Sequence, residues 1–230
     1  MSAMAADPKT LLDRCDTLML DMDGTLLDLA FDNYMWLTLV PRVFARHHGL
    51  AEDDARRQLR AAYSELEGTL DWYCLDHWSE RLNIDVMALH RDERSRIGYL
   101  PGAEHFLESV AKRSIRVRLV TNSHQATLAL KADVTGLDIY FDRIYTSHEI
   151  GHAKEDQPFW QAVSDAESFD PKTTLFVDDN ISVLRSAQSF GMRSLLHVTR
   201  PDTGRPKRDD SEFNGIEAVA DLVDPEGASR

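Results

Sequence analysis

In the stretch Leu18 to Asp28, LMLDMDGTLLD, an apolar run stops at two aspartates, Asp21 and Asp23, with Gly24 and Thr25 directly behind. Carboxylates are costly beside a core unless they are paired, hydrogen-bonded or coordinated. Other short apolar runs end in the same manner. Ile115 to Val120 gives way to Thr121-Asn122-Ser123, and Thr174 to Val177 gives way to Asp178-Asp179-Asn180. Lys154 follows the run Arg143 to Thr146, in GHAKEDQ. Together these exits offer four carboxylates, a hydroxyl and an ammonium. Such a set suits a hard divalent cation and a small anion, which a local cation can hold against an unfavourable overall field.

Each piece alone has a plainer reading. D-x-D also opens a calcium loop, but here the sixth loop position is Leu26 instead of glycine and the run follows a strand. Asp178-Asp179 alone reads as a helix start, Lys154 as a surface lysine and Thr121-Asn122 as a turn. Their order, each at the exit of an apolar run, argues against the plain reading of all of them at once.

Positioning such groups needs strands that end at one edge. The runs Thr17 to Leu20, Ile115 to Val120, Arg143 to Thr146, Thr174 to Val177 and Ser194 to Val198 read as strands. Helical segments are expected at Glu104 to Lys112, Ser123 to Ala132, Phe159 to Ala166 and Ile181 to Phe190, the last stopped by Gly191. The alternation predicts an α/β fold with a parallel sheet covered on both faces, whose sites lie at the carboxyl ends of strands.

Residues 30–98 break the alternation and read as wholly helical. One stripe holds Trp36, Leu39, Val40, Val43 and Phe44, with a kink or a new helix expected at Pro41. Leu59, Ala62, Tyr63 and Leu66 give a second stripe, and Leu70, Tyr73, Cys74, His77 and Trp78 a third. We read 30–98 as a helical insertion into a core formed by 1–29 plus 99–230. Pro201 to Ser211 reads as a loose loop, and Ile216 to Val223 as a short final helix.

The net charge of −13 repels polyanions, which argues against a nucleic-acid duplex as partner. Two cysteines, Cys15 and Cys74, make no disulfide framework and point to a reducing cytoplasm. The start MSAMAADPKT lacks the apolar stretch of a signal peptide, and no run approaches a membrane span.

The four stretches LMLDMDGTLLD, LVTNS, the lysine in HAKEDQ, and LFVDDN resemble, in order and spacing, the four motifs of the haloacid dehalogenase (HAD) superfamily. The resemblance runs from about Asp16 to Gly204. Two further stretches, DLAFDNYMWLTLVP and LDWYCLDHWSERL, resemble its bacterial GMP/IMP nucleotidase branch. The resemblance implies a Rossmann-like sheet core with an inserted helical cap. It implies a Mg²⁺-dependent phosphomonoester hydrolase acting through an aspartyl-phosphate on a purine mononucleotide, GMP or IMP. A phosphatase or mutase for another small monoester, such as a sugar phosphate or phosphoglycolate, is the alternative. Dehalogenation is disfavoured, because it needs neither Mg²⁺ nor the acid at position 23.

Phosphate monoesters are dianions, so an attacking carboxylate needs a cation to screen it. On the family pattern Asp21 is the nucleophile, and Asp23 the acid for the leaving alcohol and then the base for water. Thr121, Asn122 and Lys154 cradle the phosphate. The metal set is Asp21, the main-chain carbonyl of Asp23, Asp179 directly, and Asp178 directly or through water. Two places depart from the common pattern. Lys154 is followed by Glu155-Asp156-Gln157 before Pro158, a form the named branch shares, and Val183 stands where some relatives carry another acid. Trp36, Trp72, Tyr73 and Trp78 read first as core and second as contacts to a base. His47, His48, His77 and His124 show no metal-ligand spacing; His124, directly after LVTNS, either lines the site or sits on the surface.

Overall fold

The structure, a computed structural model, describes residues 7–209 and 211–225. Residues 1–6 of the opening stretch and Asp210 of the 201–211 loop lie outside them. Six strands form one parallel sheet: β1 Thr17–Leu20, β2 Arg116–Thr121, β3 Arg143–Thr146, β4 Thr174–Asp178, β5 Ser194–Val198 and β6 Asn214–Ile216. Their order is β3-β2-β1-β4-β5-β6, so the direction of winding reverses beside β1, where ligands of such sheets bind. The helices are α1 Pro8–Arg14, α2 Ala30–Tyr34, α3 Val40–His48, α4 Glu52–Leu66, α5 Leu75–Leu82, α6 Val86–Asp92, α7 Ala103–Val110, α8 Gln125–Thr135, α9 Ser147–Ile150, α10 Gln157–Ala166 and α11 Ile181–Phe190.

The strands read as continuous apolar runs because both of their faces are buried. Leu18 and Leu20 enter one core with Leu119, Val177 and Leu196. Met19, Phe176 and Leu195 enter the other, beneath Phe159, Trp160 and Leu184 of α10 and α11. β2 and β4 each run to a residue expected just outside the strand, Thr121 and Asp178. Two of the groups that could do chemistry are thus fixed by strand backbone.

Helices α2 to α6 stand between β1 and β2, and α3 to α6 enclose a core of their own that includes Val40, Leu59, Trp78 and Val86. A new helix does begin beside Pro41, which sits in the first turn of α3. A π turn over Met35–Leu39 precedes α3, and the Val40 N–H bonds to the Met35 carbonyl, which accommodates a proline that cannot donate to the preceding turn. The third expected stripe is split. Leu70–Tyr73 is a 3₁₀ turn, and Cys74 is extended and begins α5 with its sulfur accepting from the His77 N–H at 3.5 Å.

The end of the chain corrects the expectation of a final helix. Asn214–Ile216 pairs with β5 as an edge strand, and only Val219–Leu222 turns, as a 3₁₀ segment. Burying Ile216 and Val219 while extending the sheet edge outweighs a helical turn there. The 201–211 loop has no helix or strand among its described residues but is not loose. Leu29 N–H bonds to the Pro201 carbonyl at 2.9 Å, Asn33 donates to the buried Asp202 at 2.7 Å, and Arg208 N–H bonds to the Thr199 carbonyl at 2.8 Å.

His90 on α6 is 1% exposed, and its Nδ1–H donates to the Val86 carbonyl at 2.8 Å. Burial pushes its imidazole down from 6.5 to about 4. A folded-state pKa below the unfolded one means that the unfolded chain binds the extra proton, so stability falls as pH drops through that window. Melts of the protein and of His90→Gln at pH 7 and pH 4 are expected to show the difference shifting toward the variant by about 3 kcal/mol. A constant difference contradicts a neutral buried imidazole.

Candidate active site

Asp21 leaves β1 with its N–H bonded to the Val177 carbonyl of β4 at 3.0 Å, so strand pairing fixes its backbone. Its buried Oδ1 accepts from Lys154 Nζ at 2.5 Å. The same ammonium, 2% exposed, donates to Asp178 Oδ2 at 2.8 Å and to the Val120 carbonyl at 3.1 Å. Burial alone would lower this ammonium, but Asp178 and Asp21 hold it above its ordinary value. The loop that carries Lys154 is held by Asn122, whose Oδ1 accepts the Lys154 N–H at 2.9 Å.

Asp21, Asp178 and Asp179 each offer a carboxylate oxygen, and these oxygens lie within 4.8 Å of one another. Burial pushes Asp21 well above the ordinary carboxylate range against the pull of Lys154, and Asp178 and Asp179 add to the rise. Burial and Asp178 push Asp179 up to about 7 against Arg208. Crowded anions in a low-dielectric pocket raise one another, and a divalent cation among hard oxygens reverses that penalty. Gly24, at φ +87°, lies against one member of this trio: a Cβ there would come within 2.7 Å of the Asp179 carboxyl carbon. The donor chemistry and the glycine clearance both fit a magnesium ion. Asp178 has both oxygens engaged, Oδ2 by Lys154 and Oδ1 by the Asn180 N–H at 2.7 Å. The Asp179 carbonyl is held by Arg208 at 2.6 Å and by His197 Nε2 at 3.1 Å.

The Asp23 side chain stands apart from the trio. Its Oδ1 accepts from Lys131 Nζ at 2.7 Å, and that ammonium also donates to Asp32 at 2.8 and 2.9 Å. Burial pushes Asp23 up to about 6, against the pull of Lys131 and with Asp32 adding to the rise. Thr121 is buried, and its Oγ1 accepts the Ser123 N–H at 3.0 Å, which leaves the hydroxyl's own proton without an acceptor among the described residues. The Asn122 side chain is committed to Lys154 and to Glu155, whose Oε2 accepts its Nδ2 at 2.9 Å. Val183, at the position of the absent extra acid, is buried in the apolar core.

A cavity of about 520 Å³ spans these groups and the helical layer. Asp21, Asp23, Thr121, Lys154, Asp178 and Asp179 line its floor, and Trp36, Tyr63, Trp72, Tyr73, Trp78 and His90 its opposite side. Trp78 is fully buried, with its Nε1 donating to the Trp72 carbonyl at 2.8 Å, whereas Trp36 and Trp72 are partly exposed. His124 lines the cavity.

Four neighbours of the site were not singled out from the sequence. Lys131 is 1% exposed, and its signal is a place on α8 four residues after the buried Thr127 and one after Leu130. Asp32 is its partner from α2. Glu155 also accepts from the Tyr73 hydroxyl at 2.7 Å, tying the helical layer to the core. Arg208 reaches Asp179 from a loop whose composition gives no such indication.

The family model for haloacid dehalogenase-like hydrolases matches residues 15–191. A GMP/IMP nucleotidase of Escherichia coli, YrfG, is 42% identical over 189 residues, covering 82% of this chain and 85% of that protein. A phosphatase of Mycobacterium tuberculosis is 30% identical over 169 residues, covering 64% and 78%. Among solved structures, a HAD phosphatase of Thermococcus onnurineus superposes with a TM-score of 0.75 at 20% identity, over 90% of this chain and 95% of that one.

Proposed function

The chain belongs to the haloacid dehalogenase-like hydrolase family, and we propose that it hydrolyses phosphate monoesters through Asp21, with purine 5′-mononucleotides of the GMP and IMP type as substrates. The observation that carries the reaction is the buried Lys154 ammonium, 2.5 Å from Asp21 and 2.8 Å from Asp178, at the floor of the cavity. It orients the Asp21 carboxylate and places positive charge where phosphoryl oxygens gather charge in the transition state. The name carried by the 42% identical relative supports the substrate class, and the partly exposed rings of Trp36 and Trp72 offer apolar surface for a base.

Asp21, Asp179 and the main-chain carbonyl of Asp23 would hold magnesium, with Asp178 direct or through water, and the ion would neutralise charge between carboxylate and phosphate. Asp179 is the better direct ligand, since both Asp178 oxygens already accept bonds. Asp21 attacks phosphorus in line, and the alcohol leaves with a proton from Asp23. Asp23 then takes a proton from the water that hydrolyses the aspartyl-phosphate. Raised to about 6 by its burial, Asp23 is poised to exchange that proton near neutral pH. Thr121 donates its hydroxyl proton to the phosphate. Asn122 contributes through its backbone, because its side chain holds the Lys154 loop. Residues 30–98 act as the cap that excludes water and selects the leaving group.

The test is phosphate release from a panel of nucleoside monophosphates, sugar phosphates and phosphoglycolate, with Mg²⁺ or EDTA. GMP and IMP are expected to be turned over best, with release lost in EDTA. Preference for a sugar phosphate overturns the substrate, and full activity in EDTA overturns the mechanism. The role of Asp23 has its own signature: Asp23→Asn is expected to cost about a hundredfold or more in kcat on a nucleotide. Formation of the intermediate from p-nitrophenyl phosphate, whose leaving group needs no proton, falls far less in a single-turnover burst. Equal losses on both substrates contradict an acid at position 23.

A further inference from the structure

Cys74, His124 and His148 meet where the helical layer touches the α/β core, and we propose that they bind a borderline-soft divalent cation of the zinc type, separate from the carboxylate site. One ligand atom from each lies within 4.8 Å of the others. They come from three different places: Cys74 precedes α5, His124 precedes α8, and His148 lies in α9. One sulfur and two imidazoles prefer zinc-like ions to magnesium, which prefers oxygen.

Two further observations point to a ligand. His148 Nε2 is buried with no hydrogen-bond partner among the described residues, an arrangement that costs free energy unless something binds there. The ring's other nitrogen lies 3.3 Å from Ser147 Oγ, which can take its N–H and leave the Nε2 lone pair for a cation. In addition, the exposed Asp76 carboxylate lies 3.8 Å from His124 Nε2 and can turn in as a fourth donor or hold a bound water. Bonds of about 2.0–2.3 Å at tetrahedral angles set donors about 3.3–3.7 Å apart. Side-chain rotation of about an ångström closes the site, at the expense of the 3.4 Å contact between His124 Nδ1 and the Ala126 N–H. The Cys74 thiol gives its proton to solvent as the sulfur–metal bond forms, and no electron is transferred.

Cys74 and Asp76 belong to the helical layer, and the two histidines to the core. A cation shared between them therefore staples the layer to the core beside the cavity that His124 lines. Where residues 30–98 must open to release product, occupancy slows turnover. This consequence rests on the hydrolase reading, whereas the binding itself does not.

Cobalt titration of the full chain in saturating Mg²⁺, with a phosphine reductant, reads the site directly. One equivalent is expected to give a thiolate-to-cobalt charge-transfer band that zinc displaces. Cys74→Ser and His148→Gln lose the band. Cys15→Ser keeps it, since Cys15 is buried with its thiol pushed up to about 11. Zinc is expected to slow phosphate release about tenfold or more in the wild type and about twofold or less in Cys74→Ser. No band in the wild type, or a band that survives Cys74→Ser or His148→Gln, overturns the site. Equal zinc inhibition of wild type and Cys74→Ser overturns the staple. Should no substrate of the panel be hydrolysed, the cobalt band still decides the site.

Discussion

Asp21→Asn is expected to lower turnover about 10⁴-fold or more while leaving the fold intact, as for loss of a group that acts as one unit with its partners. An amide of the same shape keeps the backbone bond to Val177 but has no anionic oxygen with which to attack phosphorus. Its effect on stability has the opposite sign. Burial holds the wild-type carboxyl well above its ordinary range, with Asp178 and Asp179 adding to the rise. A raised folded-state pKa means that the folded protein loses stability as pH rises above the unfolded value near 3.8. At neutral pH in EDTA the variant is therefore expected to melt above the wild type, and in Mg²⁺ this advantage shrinks because only the wild type gains a full ligand set. Calorimetry with and without the ion, beside steady-state phosphate release, checks both signs. A variant that melts well below the wild type in EDTA contradicts the electrostatic description of the site.

Lys154→Met has the second large effect, and here stability and activity fall together. The lysine is 2% exposed and is the direct cationic partner of both Asp21 and Asp178. Removing one member of a buried ion pair leaves uncompensated charge and costs about 3–5 kcal/mol. For a chain of this size that corresponds to a fall of about 6–20 °C in Tm. Turnover is expected to drop about 10³-fold, since on the proposed mechanism the same ammonium faces the charge developing on the phosphoryl group. Magnesium restores part of the lost Tm, because a dication neutralises the same carboxylates, but little of the activity. Adding Asp21→Asn to the variant raises its Tm by removing one orphaned charge. A fall of about 2 °C or less would mean that the ammonium is a bystander.

The groups at the carboxyl edge were legible because strands leave a direct trace. A buried strand reads as an apolar run, and an ionisable residue at its end stands out against it. Asp21, Thr121 and Asp178 were found in this way, and the structure brings them together with Lys154 and Asp179. What stayed hidden depends on distance in the chain. Lys131 joins residues 99 and 108 positions away, and Arg208 reaches Asp179 over 29 positions. No local pattern encodes such pairs. That the Asn122 side chain is engaged by Lys154 and Glu155, leaving its backbone for the expected phosphate contact, is visible only in the tertiary arrangement. The chain end failed for another reason. Ile216 to Val223 carries apolar residues at spacings that suit a helix or an edge strand, and the open edge of β5 decides for the strand.

The central claim is that the Asp21 carboxylate itself takes the phosphoryl group. Asp23→Asn protein, in Mg²⁺ with p-nitrophenyl phosphate, should form the acyl phosphate readily and break it down slowly, since it lacks the base for water. Rapid acid quenching, borohydride reduction and peptide mapping should then find homoserine at position 21 alone, and none in EDTA or in the Asp21→Asn, Asp23→Asn double variant. Burst release of p-nitrophenol with position 21 unmodified, or with the label on another carboxylate, would contradict it.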